Sequence, residues 1–142
     1  MTARDVVEAY LAELRANVEM LEPLQRLSID EYLADRPRQK QVERCLQLAI
    51  ECMLDIADHL IGEHSWRRPT SGEEALEVLA EVGVLPRPYR ERIRGIGSFR
   101  NVLVHAYLRL DPRLVHAHLG RLDDLREFGR HVQAFLDRRP AS

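Results

Sequence analysis

The chain has 142 residues, is 45% hydrophobic and 31% charged, and carries a formal net charge of −2. These values suit one folded domain over residues 1–142, argue against long disordered tracts, and give no reason in overall charge to expect a nucleic-acid partner. No apolar run approaches the roughly 20 residues that span a bilayer, and the N-terminus lacks the apolar segment of a secretory signal. We therefore expect a cytoplasmic protein with no membrane partner.

Apolar residues recur at intervals of three and four along nearly the whole chain, which predicts an all-α fold. The first helix is expected over about residues 2–24, with Thr2 as its N-cap. A short helix should follow, because Ser28 and Glu31 have the spacing of a capping box, in which each side chain binds the backbone N–H of the other residue.

A second long helix is expected over about residues 37–61, with Gly62 ending it. Its apolar residues cover more than one face, so we expect neighbouring elements on several sides. Cys45 and Cys52 lie on this helix about 10 Å apart along its axis, which is too far for a disulfide bond between them. Both are expected to be buried thiols.

A third helix is expected over about residues 72–82, with a hydroxyl-bearing N-cap and with Gly83 ending it. A fourth helix, opened by a proline, is expected over about residues 86–106. Gly95 and Gly97 lie inside this fourth helix. Because glycine weakens a helix interior, we expect these two positions to mark a bend or the close approach of another backbone.

The fifth helix has the clearest start, since Asp111 is a good N-cap and Pro112 suits the first helical position. Its apolar periodicity continues to about Arg138. The sequence therefore predicts a bundle of four or five helices joined by short connections.

Arginine is concentrated in the fourth predicted helix, where a single acid, Glu91, accompanies five arginines. They are Arg87, Arg90, Arg92, Arg94 and Arg100. Such a run indicates a phosphate-binding surface, and we take Arg90 and Arg94 as candidate RNA-binding residues. The alternative is an ordinary solvated surface, because the whole chain uses 20 arginines and one lysine.

Four polar side chains suited to chemistry fall within eight residues: Arg100, Asn101, His105 and Tyr107. On a regular helix, Arg100 and Tyr107 lie about 20° apart on one stripe, and Asn101 and His105 form an i,i+4 pair. Arg100 and His105 are about 140° apart, so one straight helix does not direct them at a common phosphate. Either the helix unwinds near His105, or a second chain related by a two-fold axis supplies the opposing group.

These residue types suit RNA cleavage. An imidazole can accept the proton of a ribose 2′-OH or return one to the leaving oxygen, and a guanidinium stabilises charge that develops on the phosphate. The reaction needs no metal, and no pair of histidines has the spacing of a metal site, so we expect neither a metal nor a cofactor. From spacing alone, a helix end with a capping histidine and a packed tyrosine is the simpler interpretation.

The string from Arg100 to Tyr107 resembles the R-x4-H-x-Y motif of HepT-like toxins, a branch of the HEPN superfamily. The similarity extends to residues 44–61, to the Gly-Ser-Phe segment at 97–99, and to residues 107–111, and it covers roughly residues 5–138. A bare R-x4-H is common among proteins. The motif with its trailing tyrosine, on the fourth of five helices, is far more specific.

The resemblance implies a HEPN-type bundle that forms a two-fold homodimer with an active cleft between the chains. It implies metal-independent cleavage of an RNA, tRNA or mRNA, by the toxin of a toxin–antitoxin pair. By position, Arg100 and His105 become catalytic, Asn101 a supporting residue, and Tyr107 the residue modified. The implied antitoxin is a minimal nucleotidyltransferase that transfers AMP to this tyrosine. The bulk and negative charge of AMP would then exclude RNA from the site.

A second interpretation stays open, in which the chain is a non-catalytic subunit of a nucleotidyltransferase complex. Arg100 and His105 would then hold the phosphate of a nucleotide or of another substrate. Tight nucleotide binding that is lost in Arg100→Ala, without RNA cleavage by the parent protein, would favour this interpretation. A plain structural or interaction protein is the remaining alternative.

Overall fold

The computed structural model describes residues 1–138, with the exception of the side chain of Tyr107. The α-helices of this part are α1 (Ala3–Leu21), α2 (Ile29–Leu33), α3 (Arg36–His64), α4 (Gly72–Glu81), α5 (Arg87–Arg92), α6 (Ile96–His105), α7 (Pro112–Leu119) and α8 (Leu122–Arg138), and the 3-10 helices are Glu22–Arg26 and Tyr107–Arg109. No strand occurs within residues 1–138. The predicted all-α fold is therefore confirmed.

The long helix α3 is the centre of the bundle. α1 packs along it most extensively, and α4, α6, α7 and α8 also contact it. Its buried residues lie on several faces and include Cys45 and Cys52, which are free thiols, as expected. Burial, with a smaller contribution from nearby acids, raises the pKa of Cys52 to about 11, so this thiol packs in the core and is not a nucleophile.

The helix starts follow the predicted capping residues. Ser28 and Glu31 form the capping box of α2, with the Glu31 N–H donating to Ser28 Oγ at 3.1 Å and the Ser28 N–H donating to Glu31 Oε1 at 2.9 Å. Ser71 caps α4, and Asp111 caps α7. α1 ends at Leu21, earlier than expected, because the proline of the following 3-10 helix cannot continue the α-helical hydrogen bonds.

The end of α3 differs from the prediction. The helix continues through Gly62 to His64, and Ser65 takes the left-handed conformation that terminates it, with φ at +53°. The His64 and Trp66 rings stack with their centroids 4.3 Å apart, and the His64 Nδ1 lies 2.9 Å from the Leu60 carbonyl oxygen. These contacts stabilise the additional turn.

The fourth and fifth predicted helices are each divided into two. Gly95 has a φ of +93°, which ends α5 and redirects the chain into α6. A turn at Gly120 separates α7 from α8 and allows α7 to pack on α2 while α8 packs on α1. Hydrophobic periodicity continues across both breaks, so the pattern alone predicts longer helices. Within residues 1–138, no helix is both long enough and apolar enough to cross a membrane.

Candidate active site

α6 carries the motif, and its inner face fixes its position. Ile96, Phe99 and Leu103 are buried in the core. The Phe99 ring stacks on the His118 imidazole of α7, with centroids 3.8 Å apart and planes inclined by 10°. Burial, assisted by the positive charge of Arg121, lowers the pKa of His118 to about 4. His118 is therefore neutral near pH 7 and packs against Phe99 as an uncharged ring.

The start of α6 is held against α4 by a close backbone approach. A Cβ atom on Gly97 would lie 2.9 Å from the Glu73 backbone nitrogen, so the contact requires glycine. The Gly97 N–H donates to the Glu73 carboxylate. Burial alone would raise the pKa of Glu73, but the Arg90 guanidinium and the N–H groups of Gly95 and Gly97 outweigh it and lower this pKa below its usual range. The sequence expectation of a bend and a close approach at the two glycines is confirmed.

Arg90 is a structural residue, which corrects its expected role in RNA binding. Its side chain is 2% exposed. Its Nη2 donates to Glu73 Oε2 at 2.9 Å and its Nε to Glu77 Oε1 at 3.2 Å. Releasing a buried guanidinium from both carboxylates would leave uncompensated charges in the protein, so Arg90 is not available to a phosphate.

The exposed arginines of the same run are also paired. The Arg94 Nη2 lies 2.6 Å from Glu91 Oε1 and 3.9 Å from Glu77 Oε1. Arg87 donates to Glu77, and Arg92 donates to Asp124 and Glu127. The acids come mostly from α4 and α8, which are distant in sequence, so counting only the local acid Glu91 overestimates the positive charge of this surface.

Arg100 projects from α6 toward α3 and is 28% exposed. Its Nε donates to the Asn101 Oδ1 at 3.1 Å, and its Nη1 lies 3.9 Å from Glu51 Oε1 of α3. Glu51 is itself fixed by the Gln47 amide, whose Nε2 donates to Glu51 Oε1 at 3.0 Å. The guanidinium is thus oriented from both sides, and its remaining N–H groups can bind an anion.

Three carboxylates at helical spacing, Glu51, Asp55 and Asp58, form an acidic row on α3 beside Arg100. Burial raises the pKa of Asp55 and of Asp58, and the charges of His59 and Arg100 oppose part of this shift. The sequence interpretation missed this row, although three acids spaced by four and three residues on a largely buried helix are a recognisable signal. The row makes the α3 side of the site negative.

His105 is the last residue of α6, and its side chain is exposed. Among the side chains that the structure describes, none forms a hydrogen bond or ion pair with its imidazole. The Ala106 N–H still donates to the Val102 carbonyl at 3.0 Å, so the helix is intact at His105 and ends directly after it. An exposed imidazole at this position is accessible to a ligand in solvent.

Arg100 and His105 therefore stand on one regular helix, about 140° apart around its axis and about 7.5 Å apart along it. Two ways to bring them to one phosphate were expected, unwinding of the helix near His105 or a second chain. The backbone leaves the α-helical conformation only after His105, at Ala106, and the second chain stays a prediction. Asn101 was expected to orient either the phosphate or the imidazole; in the structure, its amide oxygen accepts from Arg100.

The geometry predicted for Tyr107 is also corrected at the level of the backbone. The residue begins a 3-10 helix after Ala106, whose φ of −126° and ψ of 32° leave the α-helical region. An angle extrapolated from a continuous helix therefore does not apply between Arg100 and Tyr107. The expected modification of Tyr107 concerns a side chain outside the described residues.

The side chains of Arg100, Asn101 and His105 lie at the outer surface and not in an internal cavity. A cavity of about 310 Å³ adjoins the buried side of α6 and is lined by Phe99 and His118, but not by Arg100 or His105. Within residues 1–138, no group of three or more His, Cys, Asp or Glu side chains is arranged to hold a metal ion.

The model of the ribonuclease HepT-like family matches residues 8–132. The chain belongs to this family. The match includes Arg100, Asn101, His105 and Tyr107, and it confirms the resemblance drawn from the motif.

This HepT-like chain is similar in sequence to two nucleases of known name. It is 28% identical over 110 residues to the tRNA nuclease HepT of Aphanizomenon flos-aquae, covering 78% of this chain and 75% of that protein. It is 26% identical over 99 residues to the mRNA nuclease HepT of Shewanella oneidensis, covering 69% of this chain and 74% of that protein.

Solved structures share the fold of this HepT-like chain. The tri-AMPylated HEPN toxin of Shewanella oneidensis, in complex with its MNT antitoxin, superposes with a TM-score of 0.82 at 21% identity, over 94% of this chain and 99% of that one. The cytosolic protein YutE of Bacillus subtilis, of unknown function, superposes with a TM-score of 0.83 at 19% identity, over 98% and 95%. The HEPN-type helical architecture is thereby established for this chain.

Proposed function

We propose that this chain is a ribonuclease toxin that cleaves RNA without a metal ion, with Arg100 and His105 as its catalytic residues. The observation that carries the proposal is the combination of an exposed imidazole at the end of α6 and a guanidinium oriented by Asn101 on the same helix. Family membership and the two HepT nucleases support the same activity. Their different RNA classes, tRNA and mRNA, leave both as candidate substrates here.

The cleavage step follows from these two groups. The ribose 2′-oxygen attacks the adjacent phosphorus, the bond from phosphorus to the 5′-oxygen breaks, and a 2′,3′-cyclic phosphate and a 5′-hydroxyl result. One imidazole takes the 2′-OH proton and another group returns a proton to the 5′-oxygen. Arg100, oriented by Asn101, stabilises the negative charge that develops on the phosphoryl oxygens.

A two-fold dimer supplies what one chain lacks. His105 of one protomer and Arg100 of its partner can face the same phosphate, whereas the two residues of one chain point about 140° apart. The two-fold axis makes this pairing twice, so the cleft contains two equivalent sites, each with one Arg100 and one His105. We therefore propose a homodimer whose cleft contains the reaction centre.

Control of the toxin is proposed to occur at Tyr107. The phenol oxygen would attack the α-phosphorus of ATP on a partner nucleotidyltransferase, the α–β bridging bond would break, and pyrophosphate would leave as the phenol proton passes to a base of the partner. Tyr107 follows His105 by two residues, so the transferred AMP would add bulk and negative charge next to the reaction centre. The AMPylated Shewanella toxin in complex with MNT antitoxin supports this control.

Expression without a partner protein tests the proposal in cells. The parent chain should arrest growth, and Arg100→Ala and His105→Ala should each relieve the arrest at equal protein level. Arg126→Ala, which removes an arginine paired with Glu22 and Asp123 away from the motif, is the matched control and should remain toxic. Equal toxicity of the parent and both motif variants would contradict the proposal.

A further inference from the structure

The arginines near the motif fall into two groups that differ in their partners. The group preceding the motif is ion-paired with carboxylates: Arg87, Arg90, Arg92 and Arg94. The group following the motif, Arg109 and Arg113, is exposed, and neither side chain has a hydrogen bond or ion pair with any group that the structure describes. The unneutralised positive charge therefore lies on the C-terminal side of His105.

Both of these arginines follow His105 within eight residues, on the connection to α7 and in the first turn of that helix. The Arg109 N–H donates to the Ala106 carbonyl at 2.9 Å, which makes a tight turn directly after α6. The Arg113 N–H donates to the Asp111 Oδ1 at 2.9 Å, in the first turn of α7. Asp111 is the acid of this segment, and it is engaged in capping α7. Arg109 thus ends the short 3-10 helix after α6, and Arg113 lies in the first turn of α7.

Electrostatics favours this side of the site for an extended anion. An unpaired guanidinium binds a phosphate without first breaking an ion pair, whereas each arginine of the preceding run must release a carboxylate. Beside Arg100, the acidic row of Glu51, Asp55 and Asp58 repels a phosphate backbone. Leu108, which directly precedes Arg109 and is 88% exposed, offers an apolar contact to a ribose or base.

We infer that Arg109 and Arg113 bind the phosphates that flank the cleaved bond, so that the RNA backbone leaves the reaction centre along the turn to α7. This inference rests on the proposed function, because it names the substrate-binding residues of that site. It replaces Arg90 and Arg94, which were the sequence candidates for this role. The competing occupant of the same surface is an acidic face of a partner protein.

The salt dependence of RNA binding tests the inference directly. Binding of a fluorescent single-stranded RNA is measured in the His105→Ala background, so that the RNA is not cleaved. Arg109→Gln/Arg113→Gln should lower the slope of log affinity against log salt by about 1.4, since each lost contact with single-stranded nucleic acid accounts for about 0.7. Between about 50 and 200 mM salt, the parent should then lose about sevenfold more affinity than the double variant.

Two further variants serve as controls. Arg67→Gln/Arg126→Gln removes the same charge from one exposed and one half-buried arginine that are both paired with carboxylates, and the slope should stay at the parent value. Arg109→Lys/Arg113→Lys keeps both charges and should also keep the slope. An equal slope in the Gln variant and the parent, or an equal loss in the Arg67/Arg126 control, would overturn the inference.

Failure of the inference can be distinguished from failure of the proposed function. If the parent with His105 intact cleaves RNA, and the Arg109→Gln/Arg113→Gln variant keeps the salt slope of its parent, Arg109 and Arg113 are rejected as phosphate-binding residues. The proposed nuclease activity then still stands. A reduced slope without any cleavage by the parent would keep the phosphate site and reject the nuclease. If the Arg109→Gln/Arg113→Gln variant keeps the slope but is no longer AMPylated by a nucleotidyltransferase partner, the surface binds that partner and not RNA. Absence of RNA binding by the parent would reject both the phosphate site and the proposed nuclease.

Discussion

Arg100 and Glu51 face each other across α6 and α3, with the arginine Nη1 3.9 Å from the glutamate Oε1. Both side chains are partly exposed, and the separation exceeds hydrogen-bond length, so the pair is weak. Glu51 therefore restrains the guanidinium only weakly, while Asn101 accepts its Nε–H at 3.1 Å. Glu51 also places a negative charge beside the position proposed for the RNA phosphate.

Glu51→Gln should therefore strengthen RNA binding. The amide preserves the shape of the side chain and can still accept from Gln47, but the charge that repels phosphate is gone. We expect KM for RNA to fall about threefold with little change in kcat, as one partly screened charge at this range contributes under about 1 kcal/mol. Glu43→Gln, on the same helix next to Lys40, is the control and should leave KM unchanged. A tenfold loss of kcat in Glu51→Gln would instead show that the carboxylate positions Arg100 for catalysis.

Mixing two inactive variants should restore activity if the reaction centre is shared between protomers. In a mixed dimer of Arg100→Ala and His105→Ala, one of the two composite sites has an intact Arg100 from one protomer and an intact His105 from the other. With random exchange, half of the dimers are mixed, so we expect about a quarter of parent activity. RNA cleavage is measured after unfolding and refolding the variants together, with each refolded alone as the control. Absence of recovery in a mixture shown to contain mixed dimers would contradict the shared cleft.

Substitution of alanine at two glycines, Gly97 and Gly62, should change the free energy of unfolding in opposite directions. A Cβ at Gly97 would lie 2.9 Å from the backbone nitrogen of Glu73, so Gly97→Ala forces α6 away from α4 and should cost about 2 kcal/mol of unfolding free energy. Gly62 lies within α3, where a Cβ would meet no atom within 4 Å beyond the backbone of its own helix, and Gly62→Ala should stabilise by about 0.5 to 1 kcal/mol. Urea denaturation of both variants and the parent measures the difference. Equal stability of the two variants would contradict the close approach at Gly97.

His118 should make stability depend on pH. Its folded pKa of about 4 lies below the ordinary value of 6.5, so the folded state disfavours its protonated form. The contribution of neutral His118 to the free energy of unfolding is fully present above pH 6.5. It is lost as the pH falls from 6.5 toward 4, because the unfolded state then binds a proton that the folded state does not. His118→Phe retains a ring against Phe99 but cannot titrate, and the loss of unfolding free energy between pH 7 and pH 5 should be about 1 kcal/mol smaller than in the parent, allowing for the partial exposure of the ring. The same loss in both proteins would contradict a buried neutral His118.

Local signals predicted much of this structure from the sequence. The capping box at Ser28 and Glu31 and the cap at Asp111 depend on residues a few positions apart, and the structure has both. The place of the motif at the end of a helix followed from the periodicity around Phe99 and Leu103. The helix break at Gly120 did not, because apolar spacing continues across it, and at Gly95 the sequence predicted a bend but not a division into two helices.

Long-range pairing is the part that the sequence did not reveal. Arg90 precedes the motif as if it were one more surface cation, yet Glu73 and Glu77 enclose it from α4. Only the packing of α5 on α4 brings them together. The same limit applies to Glu51, whose position beside Arg100 depends on how α6 crosses α3.

The most direct test of the account is RNA cleavage by the purified protein in excess EDTA, beside His105→Ala, with the intact mass of each sample recorded. We predict that the parent at its unmodified mass cleaves RNA to fragments ending in 2′,3′-cyclic phosphate, and that His105→Ala is slower by at least about a hundredfold. A mass increase of one AMP would show that the protein is already modified. Cleavage is then measured with the Tyr107→Phe variant, which has no phenol oxygen to accept AMP at this position. Absence of cleavage by the unmodified parent, on total RNA that includes tRNA, or equal cleavage by His105→Ala, would contradict the central claim.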